Sequence, residues 1–112
     1  MAKWSNYFYY RISGQGSIDA TLNPAVNFTI VSVKLHLESA GGTSEDIVLT
    51  VDSGKGRKFD MNLLTHDMEE VADLFWFPDT LLAFQDGDKI NCAYHNMNKR
   101  NYGLEIVYRK AI

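Results

Sequence analysis

Residues 30–38 read IVSVKLHLE, and their alternation decides the fold. Val31, Val33, Leu35 and Leu37 fall on one side of an extended chain, with Ser32, Lys34, His36 and Glu38 on the other. Successive side chains of a strand point to opposite faces, so a period of two over eight residues predicts a strand with one face buried. A helix would place its apolar residues three and four apart instead.

The flanking sequence continues the pattern in short pieces. AGGTSE follows as a loop carrying Gly41 and Gly42. From Asp46 to Asp52 the alternation returns, with Ile47, Leu49 and Val51 forming the apolar face. SGKGRK then interrupts, and residues 59–64 offer another short strand. HDMEEVADLFWF (66–77) has Met68, Val71, Ala72 and Phe75 at helical spacing with acids early, as a helix start prefers. The segment is short and Pro78 closes it, so HDMEEVAD is expected to be a loop leading into a strand at 74–77.

Toward the C-terminus, Ile90, Cys92 and Tyr94 face one way, against Lys89, Asn91, Ala93 and His95. Leu104, Ile106 and Tyr108 repeat this against Glu105, Val107 and Arg109. The polar run NMNKRN joins the two, which predicts an antiparallel hairpin, with Gly103 at a bend or close approach. About eight short strands with frequent turn signals, and no alternating helices, give an all-β antiparallel sandwich, jelly-roll-like, as one domain over 1–112.

Composition limits the function classes. A chain of 112 residues, 46% hydrophobic and 22% charged, can bury one proper core. A net charge of −3 supplies no basic field, so neither nucleic acid nor an anionic membrane is an expected partner. The single cysteine cannot form an internal disulfide or a cysteine-based zinc knuckle. The N-terminus MAKWSNYFYY lacks an apolar signal region, and no run of 18 apolar residues occurs. The chain is expected to be made and kept in a cytoplasm unless it leaves within a larger particle.

Chemistry-bearing residues are present but not in catalytic patterns. Asp86-Gly87-Asp88 lacks the further acids of a calcium loop, and glycine between aspartates is also what a tight turn requires. His36, His66 and His95 lack ligand spacing, two lying at outward strand positions and one in a loop. Cys92, on an inward face with no adjacent base, reads as a small hydrophobe. No GxSxG, P-loop or complete GxGxxG occurs. Carboxylate pairs at Glu69/Glu70 or Asp86/Asp88 would serve an enzyme only if one concave pocket held them. No enzymatic activity, metal or cofactor is expected.

The aromatic residues carry more. In WSNYFYYRI, Tyr7 and Tyr9 oppose Phe8 and Tyr10 across a strand, and in DLFWFP, Phe75 and Phe77 oppose Leu74 and Trp76. A strand of a lone sandwich is apolar on one face only, whereas these are apolar on both. The second faces must be covered by the chain's own loops or by another subunit, since aromatics are enriched at interface cores. Trp4, Tyr7, Phe8, Tyr9, Tyr10, Phe75, Trp76 and Phe77 are accordingly the candidate partner contacts.

The succession SVKLHLESAGGTSEDIVLTVDSGKG, DLFWFPDTLLAFQDGDKINCAYHN and YGLEIVYR resembles small tailed-bacteriophage virion proteins. The resemblance spans residues 31–109. Its most particular parts are the xSVxLHLxSA…TSEx(I/V)xLTxDSG run, the turn at Phe77-Pro78-Asp79 and the GDxIxxAYxN step from Gly87 to Asn96. These are framework motifs, so the resemblance implies a β-sandwich and a virion component and transfers no catalytic residue. Phe75-Trp76-Phe77 departs from it, since more polar neighbours of the tryptophan are expected there. The function expected on this basis is that of a homo-oligomer, with a trimer as the guess, that binds other virion proteins as a capsid decoration, cement or minor head or tail component. The alternative is a jelly-roll carbohydrate-binding module using Tyr94, His95, Asn96, Asn98 and Tyr102 at the tip of the expected NMNKRN hairpin, where amides and rings meet sugars.

Overall fold

The computed structural model describes residues 3–112. Nine strands form: β1 (Trp4–Gly14), β2 (Ile18–Leu22), β3 (Phe28–Leu37), β4 (Asp46–Asp52), β5 (Met61–Asp67), β6 (Asp73–Trp76), β7 (Ala83–Phe84), β8 (Lys89–Tyr94) and β9 (Tyr102–Ala111). A single 3-10 turn at Arg57–Phe59 is the only helical element among the described residues. None of them forms a helix long and apolar enough to cross a membrane.

The strands make two antiparallel sheets, one ordered β1-β9-β3-β6 with β7 also on β3, the other β2-β8-β4-β5. Strand neighbours nest: β1 with β9, β2 with β8, β3 with β6, β4 with β5. A long antiparallel ribbon wrapped over itself gives this order, which is the jelly-roll arrangement of a sandwich. The alternating apolar faces meet between the sheets. Val33, Leu35 and Leu37 of β3 and Leu104 and Ile106 of β9 pack toward Ile47, Leu49, Ile90, Cys92 and Tyr94 of the other sheet, all at most 2% exposed.

Several expectations are corrected. The runs at β8 and β9 do not form a hairpin: β8 lies between β2 and β4, and β9 between β1 and β3, in the other sheet. Alternation fixes which face of each run is apolar but not whether the two faces lie side by side or across the core. The seven residues from His95 to Asn101 allow the chain to cross, and Asn96 and Lys99 take positive φ (55° and 52°) to make the turn. Val31 is not on the buried side. A bulge between Ile30 and Ser32 makes it the extra residue, so Ile30 and Val33 both point inward. The strand expected at 59–64 starts two residues later, because Phe59 belongs to the 3-10 turn, and it runs on to Asp67. His66 therefore lies in a strand, not a loop.

Candidate functional site

The outer face of the five-stranded sheet is built in rows by strand register. Arg11 pairs with Glu105, Glu105 with Lys34, and Lys34 with Phe75. The next row is Tyr9, Val107 and Ser32, and the next Tyr7, Arg109 and Thr29. Since directly paired residues share a face, Tyr7, Tyr9 and Phe75 all point away from the core, and Phe77 leans on Phe75 with ring centroids 5.4 Å apart. Tyr7, Tyr9, Phe75 and Phe77 are 55%, 54%, 59% and 57% exposed. Of the two coverings that the sequence allowed, the chain's own loops do not provide one for these four rings.

Cations flank the rings. The Arg109 guanidinium sits 5.3 Å from the Tyr7 centroid, Arg11 4.9 Å from Tyr9, and the Lys34 ammonium 5.7 Å from Phe75. Glu105 ties the row together, accepting from Arg11 Nε at 2.6 Å with Lys34 Nζ at 3.4 Å. The Arg11 hydrogen bond, then the neighbouring positive charges, hold the Glu105 carboxyl below its ordinary range. Arg109 is further fixed by donating from Nε to the Ser5 carbonyl at 2.8 Å. At one end of the face Trp4, Tyr7, Thr29, Val31, Leu81 and Arg109 line an open groove, where the 77–82 loop is anchored by Thr29 Oγ1 donating to the Leu82 carbonyl. At a far corner His36 contacts Asp73.

The remaining candidate contacts face inward. Trp76 is opposite Val33 and packs against the core, as do Tyr10 and Tyr108. Phe8 also lies on the inner side, stacked on Tyr108 at 5.6 Å with Lys110 over its ring, yet remains 40% exposed. It sits on an edge strand and is not closed over by the second sheet.

The proposed sugar-contact residues do not form one surface. Tyr94 is a core residue, 2% exposed, so its ring has no free face for a sugar. Asn96 is equally buried: its amide donates to the carbonyls of Gln15, Gly16 and Arg100, and its oxygen accepts from the Arg100 N–H. Asn98 donates to the Gly41 carbonyl and to Thr43 Oγ1. Tyr102 is half-buried, its ring beside Gly14, and only His95 of the five has an exposed ring held by nothing. These amides close the turn. The sequence signal for that role, an asparagine-rich tip as turn chemistry, was present.

The carboxylates likewise hold loops. Asp88 is 9% exposed and accepts the Gly54 N–H on one oxygen (3.1 Å) and the Gln85 N–H on the other (2.9 Å). Asp86 is exposed and, unlike Asp88, does not line the groove beside Phe59 and Phe84, while Glu69 and Glu70 are both exposed on a turn. Among the described residues no three His, Cys, Asp or Glu side chains are grouped to hold a metal ion. His36 in β3, His66 in β5 and His95 just beyond β8 are each exposed. Cys92 is fully buried, and burial pushes its thiol up to about 12. No protein-family model and no curated protein matches this chain.

Proposed function

We propose that this protein is a non-enzymatic structural component of a tailed-phage particle, one that assembles and docks on other particle proteins through the outer face of its five-stranded sheet. One observation carries this reading: four aromatic rings, each more than half exposed, are gathered on one sheet face and flanked by three cations. Aromatics and arginine are the residue types that dominate the centres of protein interfaces. The phage assignment is supported by the resemblance of residues 31–109; the jelly roll agrees with it, being a fold common in capsid proteins, and does not carry it alone.

Magnitude decides how such a face works. Covering the exposed half of four rings removes on the order of 450 Å² of apolar surface, about 11 kcal/mol at 25 cal/mol per Å². Association costs roughly 4–15 kcal/mol in lost freedom, so the rings alone come near balance. A second contribution, from a multivalent shell or from self-association, is needed for stable attachment.

The test is sedimentation of the purified protein with shells of the particle from its own source, beside a Phe75→Ser/Phe77→Ser variant of unchanged thermal stability. Wild type should co-sediment and be present in finished particles, and the variant should bind roughly tenfold or more weakly, as loss of central rings does. Absence of the protein from the particles overturns the assignment.

A further inference from the structure

Of the sheet edges, β1 is the least defended. Among the described residues it is eleven residues long, with a register shift between Trp4 and Tyr7, and pairs only with β9, so from Tyr7 onward its other side presents backbone N–H and C=O groups with no strand beside them. The other edges are short or charged: β2 has five residues, β6 four and β7 two, while the seven of β5 end in His66 and Asp67. Native proteins protect long edges with lysine, proline or inward charges. Between Trp4 and Gly14 stands a single charge, Arg11, and no proline. Three consecutive residues, Tyr7, Phe8 and Tyr9, are exposed, which in a strand means apolar surface on both faces. A ligand for this edge must supply a strand's backbone and an apolar side chain above and below it.

We infer that β1 pairs antiparallel with β1 of a second copy of this chain, joining two five-stranded sheets into one continuous sheet. This pairing deepens the assembling role proposed above and rests on it. β1 itself has the required character: an unpaired backbone edge, with rings on both faces. A two-fold axis normal to the sheet sets residues of like facing against each other. With the axis at Phe8, Tyr7 of each copy lies opposite Tyr9 of the other, and the two Arg11 side chains stand about 20 Å apart at strand rise, so no like charges meet. The inner-side Phe8 rings meet at the axis, which covers the ring that the second sheet leaves open. With the axis at Phe8 the two strands overlap from Trp4 to Ile12, roughly 30 Å at strand rise, and on a domain whose thinnest extent is 23 Å this offers on the order of 700 Å² per partner, close to the area of a standard stable interface. The outer faces then merge, and both aromatic clusters lie on one doubled platform.

The test uses the full chain. Analytical ultracentrifugation should give twice the 12.7 kDa monomer mass, and hydrogen exchange should show slowed alternate amides between Trp4 and Ile12 that speed up on dilution. Phe8→Lys should weaken the dimer by roughly a hundredfold, as a charge at an interface centre does, and free those amides. The Phe75→Ser/Phe77→Ser variant should stay dimeric. Circular dichroism and thermal melting of Phe8→Lys confirm that the fold persists; if it unfolds, the wild-type amide pattern decides alone. A monomer at high micromolar concentration, a trimer, or a dimer with freely exchanging β1 amides overturns the pairing. So does protection of β1 only when shells are added, which assigns the edge to a strand of another protein. In each case shell binding by wild type, lost in the Phe75/Phe77 variant, leaves the docking role standing.

Discussion

A Cβ placed on Gly54 would lie 2.9 Å from both the carbonyl carbon and the carbonyl oxygen of Gly87. The loop after β4 and the turn before β8 thus touch backbone to backbone, and Asp88 clasps both by accepting the Gly54 and Gln85 N–H groups. Gly54→Ala forces the two segments apart and strains both hydrogen bonds. The expected cost is about 1–3 kcal/mol in urea unfolding. Gly16→Ala is the control, since nothing lies within 4 Å of its added methyl and its φ is not positive. Equal midpoints for the two variants would show that the close approach carries no stability.

That contact was not legible in the sequence, and the reason is general to this fold. SGKG and DGD each read correctly as turns, because glycine and aspartate announce turn chemistry locally. Their proximity depends on the wrapping of the whole ribbon. The same limit explains the misplaced hairpin. The alternation of Ile90, Cys92 and Tyr94, and of Leu104, Ile106 and Tyr108, located each buried face correctly. It carried no information on whether the runs were neighbours in one sheet or opposed across the core. The Val31 bulge escaped too, since VSVKLHL alternates without a break and only pairing with β9 exposes the extra residue. For the surface, parity separated Tyr7 and Tyr9 from Phe8 and Tyr10, and Phe75 and Phe77 from Leu74 and Trp76, but left open which set faces the core. Their exposure was open, because it depends on where residues 77–82 settle.

Asn96 ties the β8–β9 connection to the turn between β1 and β2, through Gln15 and Gly16. It combines positive φ with a buried, fully bonded side chain. Asn96→Ala loses those bonds and strains the backbone, with an expected cost of about 2–4 kcal/mol. Asn96→Gly relieves the backbone but not the lost bonds and should fall between wild type and Asn96→Ala in denaturant midpoint. If the glycine variant is no more stable than the alanine one, the left-handed backbone contributes nothing.

Cys92 supplies a pH-dependent signature. Its thiol is pushed up to about 12 by burial, against 9.0 for the ordinary group. The unfolded chain therefore loses this proton near pH 9 while the folded chain keeps it, so stability is full below pH 9 and falls as pH rises toward 12. Aromatic disulfide reagents at pH 8 should label native protein only at the rate of unfolding. Cys92→Ala costs stability at neutral pH by leaving a small cavity, and its deficit relative to wild type should narrow as pH rises from 9 to 11. A constant deficit across that range argues against a protonated buried thiol.

On the acid side, Glu105, Glu38 and Asp67 all titrate below their ordinary ranges. Glu105 does so chiefly through its bond from Arg11, Glu38 through donors on Asn101, and Asp67 through the Ser44 hydroxyl followed by the Glu69 N–H. Depressed carboxyl groups stabilise the fold above their unfolded values and lose that effect as pH falls through the folded ones. Thermal stability should therefore decline from about pH 4.5 downward, each group adding to the slope. Glu105→Gln removes one part while leaving the outer face intact in shape. Arg11 is largely exposed, so the neutral-pH cost should stay within about 1 kcal/mol. That cost should shrink further at high salt, where exposed charge pairs are screened. A Glu105→Gln variant that melts as steeply with acid as wild type, or whose deficit ignores salt, would remove Glu105 as the charge that organises Arg11 and Lys34 beside the rings.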